Sequence, residues 1–260
     1  MKLIGVWIFL ALLSSLLCAE ELSLPDFEQR NFELTNQQRT EHGLQPLLYE
    51  AGLANLAKQH SRNMGYEDFF DHKDKEGFHV IDRQKKYYPE LLHAGIGENL
   101  YFLERSDRRY DPSQIVDGWM ASPAHRENVL QADYTHMGIG IFLIGDKLYT
   151  TQVLAIPILK LLSVLPDKLY KDKAYRVEFE YLSPQPKSDF YCMLSTPDPS
   201  IQVVVDDSLY YEGLIPLTLN WKDARHFSAV LRFGYGRGSY SLQMGWGEYY
   251  YVDLFKFRVH

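Results

Sequence analysis

Hydrophobic periodicity changes partway along this chain, and the change constrains the fold more than any other feature. Up to about Ala155, helical spacing and strand-like runs are mixed. From Ala174 onward apolar residues alternate with polar ones. Tyr175, Val177, Phe179 and Tyr181 interleave with Arg176, Glu178 and Glu180, the pattern of a half-buried strand. Similar runs follow at residues 190–195, 201–205, 215–219, 227–233, 240–246 and 250–259, separated by turn residues. Short strands at this spacing predict a β-sandwich over residues 174–260. Pro157 and Pro166 bracket a connector, residues 157–173, and a mixed unit precedes it over residues 20–156.

Within the mixed unit, Ser23-Leu24-Pro25-Asp26 has the residues of a helix start, and Gly43 suits the left-handed end of that helix. A second helix is expected from about Tyr49 to Met64, with Leu53, Leu56, Ala57, His60 and Met64 on one face. His60 on that apolar stripe reads as a core histidine bonded to backbone. Residues 78–88 suggest a short helix and 97–102 a strand carrying Glu98. Asp111-Pro112 and Ser122-Pro123 read as two successive helix caps. Residues 137–144 and 147–155 flank Gly145-Asp146 as a hairpin.

The chain has 260 residues and 46% hydrophobic content, enough for two packed cores. Its 34 acidic against 27 basic residues, a formal charge of −7, argue against nucleic acid as a partner. Residues 1–19 read as an export signal, with Lys2 as the charged end and an apolar run too short for a comfortable membrane span. Cleavage after Ala19 is the preferred reading over lipid attachment at Cys18, because Leu17 is not the small residue that normally precedes a lipidated cysteine. No later segment reads as a membrane helix. The two cysteines are Cys18 and Cys192. After cleavage no intrachain disulfide is possible, so stability must come from core burial.

Three pieces carry the chemistry: Phe70-Asp71-His72, Gly97-Glu98-Asn99, and Trp119-Met-Ala-Ser122-Pro-Ala-His125-Arg-Glu-Asn128. Two imidazoles and a carboxylate contributed by separate segments suggest a shared site. Two neutral imidazoles can hold zinc. Glu98 could then serve as a third ligand, or as a general base orienting water. The bland alternative is a buried His–Glu–His network that only satisfies itself. No nucleophile elbow, His-Glu-x-x-His or phosphate loop occurs.

These pieces, with Asn36-x-x-Arg39, Gly43-Leu44-x-Pro46-Leu47, Arg83, Tyr134-Thr-His136-x-Gly138-x-Gly140 and Thr151-Gln152-Val153, resemble the bacterial branch of the CAP superfamily. This is the SCP-type domain shared with cysteine-rich secretory and pathogenesis-related proteins. The resemblance covers roughly residues 30–156. It implies an α+β, three-layer α-β-α sandwich, to be followed here by an immunoglobulin-like β-sandwich. It also implies a cavity lined by two histidines and two acidic residues, which in some members binds zinc through the histidines. His72 and Glu98 match that pattern. Ser122 stands where the second carboxylate is usual, and Tyr149 at about the place of the second histidine in eukaryotic members. The bacterial pattern supplies His125 instead.

The expected cleft therefore comprises His72, Glu98, Ser122, His125, Asn128 and Tyr149, with His72 and His125 as zinc ligands if metal is bound. The preferred function is binding of a lipid, glycan or peptide by an exported protein at or beyond the cell envelope. A zinc-assisted hydrolase using the same cleft is the alternative, and a structural or adhesive surface protein the third. Sequence alone leaves the oligomeric state open.

Overall fold

A computed structural model of the chain describes residues 23–205 and 208–260. The expected export signal and Cys18 lie outside the described residues. Helix α1 (Leu24–Glu41) is capped by the Ser23 side chain and ends with Gly43 at φ +75°, as the turn chemistry requires. A short strand β1 (Leu48–Tyr49) leads into α2 (Ala51–Tyr66), then α3 (Val80–Tyr87), strand β2 (Leu91–Glu104), α4 (Pro112–Ala121) and α5 (Pro123–Leu130). Strands β3 (His136–Ile144) and β4 (Lys147–Leu161) form the expected hairpin.

Strand alternation sorts this half into layers. On one face of the sheet, Leu53, Leu56 and Ala57 of α2 pack on Val153 and Ala155. On the other face, Phe27, Ile115, Val116, Trp119 and Val129 pack on Met137, Ile139, Ile141 and Leu154, so α1, α4 and α5 form the opposite layer. Helix α2 lies directly on β3. A Cβ at Gly138 would stand 2.0 Å from the Ala54 nitrogen, and one at Gly140 would stand 2.0 Å from that of Lys58. The Gly-x-Gly spacing is what admits the helix backbone.

Among the described residues, strand β2 pairs with β4 alone. Side chains cover its outer carbonyls: Trp119 Nε1 donates to Leu100 O at 3.0 Å and Asn128 Nδ2 to Glu98 O at 3.3 Å. Covering an open edge in this way blunts intermolecular strand pairing.

Strand β4 continues to Leu161, so residues 157–161, read as the start of a connector, are strand. It outruns β3, and β5 (Ala174–Tyr181) takes the vacated edge through Leu159↔Tyr181 and Leu161↔Phe179. Next come β6 (Phe190–Ser195), β7 (Gln202–Val204), β8 (Tyr210–Glu212), β9 (Leu214–Pro216) and β10 (Asn220–Trp221), and then β11 (His226–Arg232), β12 (Gly238–Trp246) and β13 (Tyr249–Val259). One sheet runs β1-β3-β4-β5-β11-β10 and a second runs β13-β12-β6-β9. Val177, Phe179, Cys192, Leu194, Phe227, Leu231, Tyr240 and Leu242 fill the space between them, together with Leu92, Ile158 and Leu159 of the N-terminal half. The two halves thus share a sheet and a core. Cys192, 2% exposed, is a core residue, and burial pushes its thiol far up.

Candidate functional site

The site is built at the middle of β2. Gly97 gives way to the Tyr134 ring, whose hydroxyl would lie 2.3 Å from a Cβ there. Glu98 follows and turns toward the α2 face. Its carboxylate is nearly buried, with the side chain 3% exposed. A carboxylate removed from water needs charged partners, and Glu98 has two. Arg83 Nη2 of α3 donates to Oε2, and His72 Nδ1 lies 2.9 Å from Oε1.

Arg83 also ties down the loop that carries His72. Its Nη1 donates to the carbonyls of His72 and Phe78, each at 2.8 Å. His60 holds the same loop from beneath, Nε2 to Asp71 O at 3.0 Å. It is a fully buried core histidine, in keeping with its apolar stripe, and burial first of all lowers its pKa.

The resulting electrostatics are asymmetric. His72 is half-exposed, its side chain 48% accessible. The hydrogen bond to Glu98 raises its pKa most, against the opposing effect of burial. His125, in the first turn of α5, is half-buried. Burial lowers its pKa, and the charge of His72 pushes the same way. The two rings are thus shifted in opposite directions, His72 up and His125 down. Phe70, 50% exposed, packs on Phe102 with ring centroids 5.8 Å apart and adds an aromatic wall beside His72.

The other expected site residues have different work. Asn128 covers the Glu98 carbonyl and donates to Asn99 Oδ1 at 2.9 Å. Asn99 in turn donates to His125 O at 3.1 Å and Gln152 Oε1 at 2.9 Å, so this chain of amides positions α5 over β2. Ser122 joins α4 to α5 and makes no side-chain capping bond, although Pro123 occupies the first helical turn as expected.

Tyr149 shares the Glu98 face but sits in the core with Met64 and Leu100, 2% exposed. Register explains this. Glu98 pairs with Val153 and Phe102 with Tyr149, so Tyr149 lies four residues along, roughly 13 Å away at strand rise. The structure does not bring it to the His72–Glu98 pair. In the sequence Arg83 stands only as a motif residue. Its sole signal was a cation in a short helix near a carboxylate whose burial the sequence does not reveal.

A zinc ion held jointly by His72, Glu98 and His125 does not fit this donor set, because both Glu98 oxygens are engaged and a guanidinium lies against one of them. Among the described residues, no group of three or more His, Cys, Asp and Glu side chains is placed to hold a metal. The two imidazoles are what a metal would have, with Glu98 behind His72 as a hydrogen-bond acceptor.

An α-β-α sandwich whose strand β2 carries a buried glutamate paired to a histidine of a neighbouring loop defines the class. Residues 32–154 match the family described as CAP, cysteine-rich secretory protein family, and this half of the chain is a CAP domain. It is 29% identical over 130 residues to the uncharacterized protein YkwD of Bacillus subtilis, covering 50% of this chain and 48% of that one. It is 33% identical over 125 residues to the uncharacterized membrane protein YlbC of the same organism, covering 48% of this chain and 33% of that one. The chain thus spans about half, or less, of these relatives. An extracellular protein containing an SCP domain from Bacillus anthracis is 27% identical with a TM-score of 0.44, covering 52% of this chain and 44% of that one.

Proposed function

We propose that the protein is an exported binding module whose CAP cleft takes a polar or anionic group of a lipid, glycan or peptide at His72. The observation that carries this is the engagement of both Glu98 oxygens. A carboxylate that presents neither oxygen to solvent is poorly suited to take a proton from water. Its buried pairing with Arg83 instead suits it to fix His72, half-exposed, as a donor to a ligand. Export rests on the pattern of residues 1–19. No helix among the described residues is long and apolar enough to cross a membrane.

For the C-terminal strands the same proposal takes an immunoglobulin-like order. The antiparallel pairings β4–β5, β5–β11 and β11–β10, with β9–β6, β6–β12 and β12–β13, follow the A-B-E-D and C′-C-F-G pattern. The Tyr240 hydroxyl, donating to Gly236 O at 3.0 Å, supports it as the tyrosine corner common in such domains.

Native mass spectrometry of the exported protein tests the binding reading. The parent should carry a bound species that His72→Ala lacks. An equal load on both would remove His72 from the site. Zinc on His72 and His125 is the second reading, favoured by one observation: a histidine with Nδ1 committed to a carboxylate is the arrangement metal-bound histidines use. Calorimetry with zinc near pH 7 distinguishes it, since binding lost in both His72→Ala and His125→Ala would favour a metal site.

A further inference from the structure

A second cleft lies where the two halves of the chain meet. It measures about 770 Å³ and is formed by α3, the start of β2 and β13. A bulge in β2 opens it. His93 pairs with Pro157 and Ile96 with Ala155, so β2 carries one more residue than β4 over this stretch. Pro157 offers no N–H to the ladder, which accounts for the irregularity opposite it. Ala94 and Gly95 are displaced into the cleft wall as a result. Bulges of this kind re-aim residues beside binding sites.

The lining has a definite chemistry. Ile81, Pro89, Leu91, Ile96 and Phe255 give it an apolar floor and walls, and its ionisable members are Lys85, Lys256 and His93. Among the described residues that line it none is acidic, although the chain as a whole carries a net charge of −7. His93 Nε2 meets Gln84 Oε1 at 3.2 Å, and the Gln84 amide is fixed in turn by donating to Tyr88 O and Leu91 O. The polar part of the wall is therefore preorganised. A mostly apolar pocket of this size with a few placed polar groups is the usual form of a small-ligand site. Arg83 leaves the same short helix toward the His72 site, so the two sites use different sides of α3.

We infer that this interdomain cleft binds an amphipathic organic anion, its apolar body against Ile81, Leu91 and Phe255 and its anionic head toward Lys85. The test uses the full chain and the fluorescent probe 8-anilinonaphthalene-1-sulfonate. Saturable one-site binding is expected, displaced by dodecanoate below its micellar range and not by dodecyltrimethylammonium. Lys85→Glu, on an exposed helical position, should weaken binding roughly five- to tenfold through the reversed charge. Ile81→Trp should abolish it by filling the cleft, and His72→Ala should leave it unchanged. Absence of saturable binding, equal displacement by the cationic amphiphile, or indifference to Lys85→Glu would overturn the inference. Loss of probe binding in His72→Ala would transfer the ligand to the CAP cleft.

Discussion

Replacing Arg83 by methionine isolates what holds the site together. The guanidinium is 2% exposed and the Glu98 side chain 3%. Arg83→Met leaves a buried carboxylate with half-exposed His72 as its one remaining charged partner. Deleting one member of a buried ion pair costs about 3–5 kcal/mol, mostly the penalty of the charge left behind. The two carbonyls that Arg83 Nη1 serves belong to a loop beside solvent and can be rehydrated, so they should not add much. Urea unfolding should therefore show a loss of about 3–5 kcal/mol at unchanged m-value. The double variant Arg83→Met/Glu98→Gln should recover at least about 1.5 kcal/mol of this, because the uncompensated charge is gone. A loss below about 1 kcal/mol, the size expected of a surface pair, would refute the reasoning.

Two further outcomes follow from burial and from the shared sheet. His136 is 3% exposed and burial depresses its pKa to about 4, below the ordinary histidine value of about 6.5. Its contribution is present above that value and lost as pH falls through 4. The gap is worth roughly 3 kcal/mol, so urea midpoints at pH 7 and pH 4 should differ less in His136→Gln than in the parent, and equal differences would count against it. A fragment ending at residue 157 loses the strand partner of Leu91 and Leu92 and uncovers the shared core. At about 1.5–3 kcal/mol per large apolar side chain, calorimetry should find it melting well below the full chain; an unchanged transition would mean the halves are independent.

The parts of the fold legible in the sequence were those set by local rules. Ser23, Gly43, Asp111 and the period-two runs announced their elements because caps, left-handed turns and alternation act within a few residues. The motif run placed His72 beside Glu98 because the two segments match a family pattern. The long reach of β4 was hidden by Pro157, which reads as a break but lies opposite a bulge. Tyr149 was misplaced because motif spacing does not give strand register. The role of Arg83 was not legible because it depends on the burial of a carboxylate contributed by another element.

The central claim is that a buried Glu98–Arg83 pair presents His72 as a half-exposed, readily charged donor. Nitrogen-15 NMR titration of His72 in the full chain tests it most directly. We expect Nδ1 to keep its proton throughout, the ring to titrate above the ordinary value of about 6.5, and Glu98→Gln to bring the titration down. A His72 that titrates at or below the ordinary value, or that carries its neutral-form proton on Nε2, would contradict the claim.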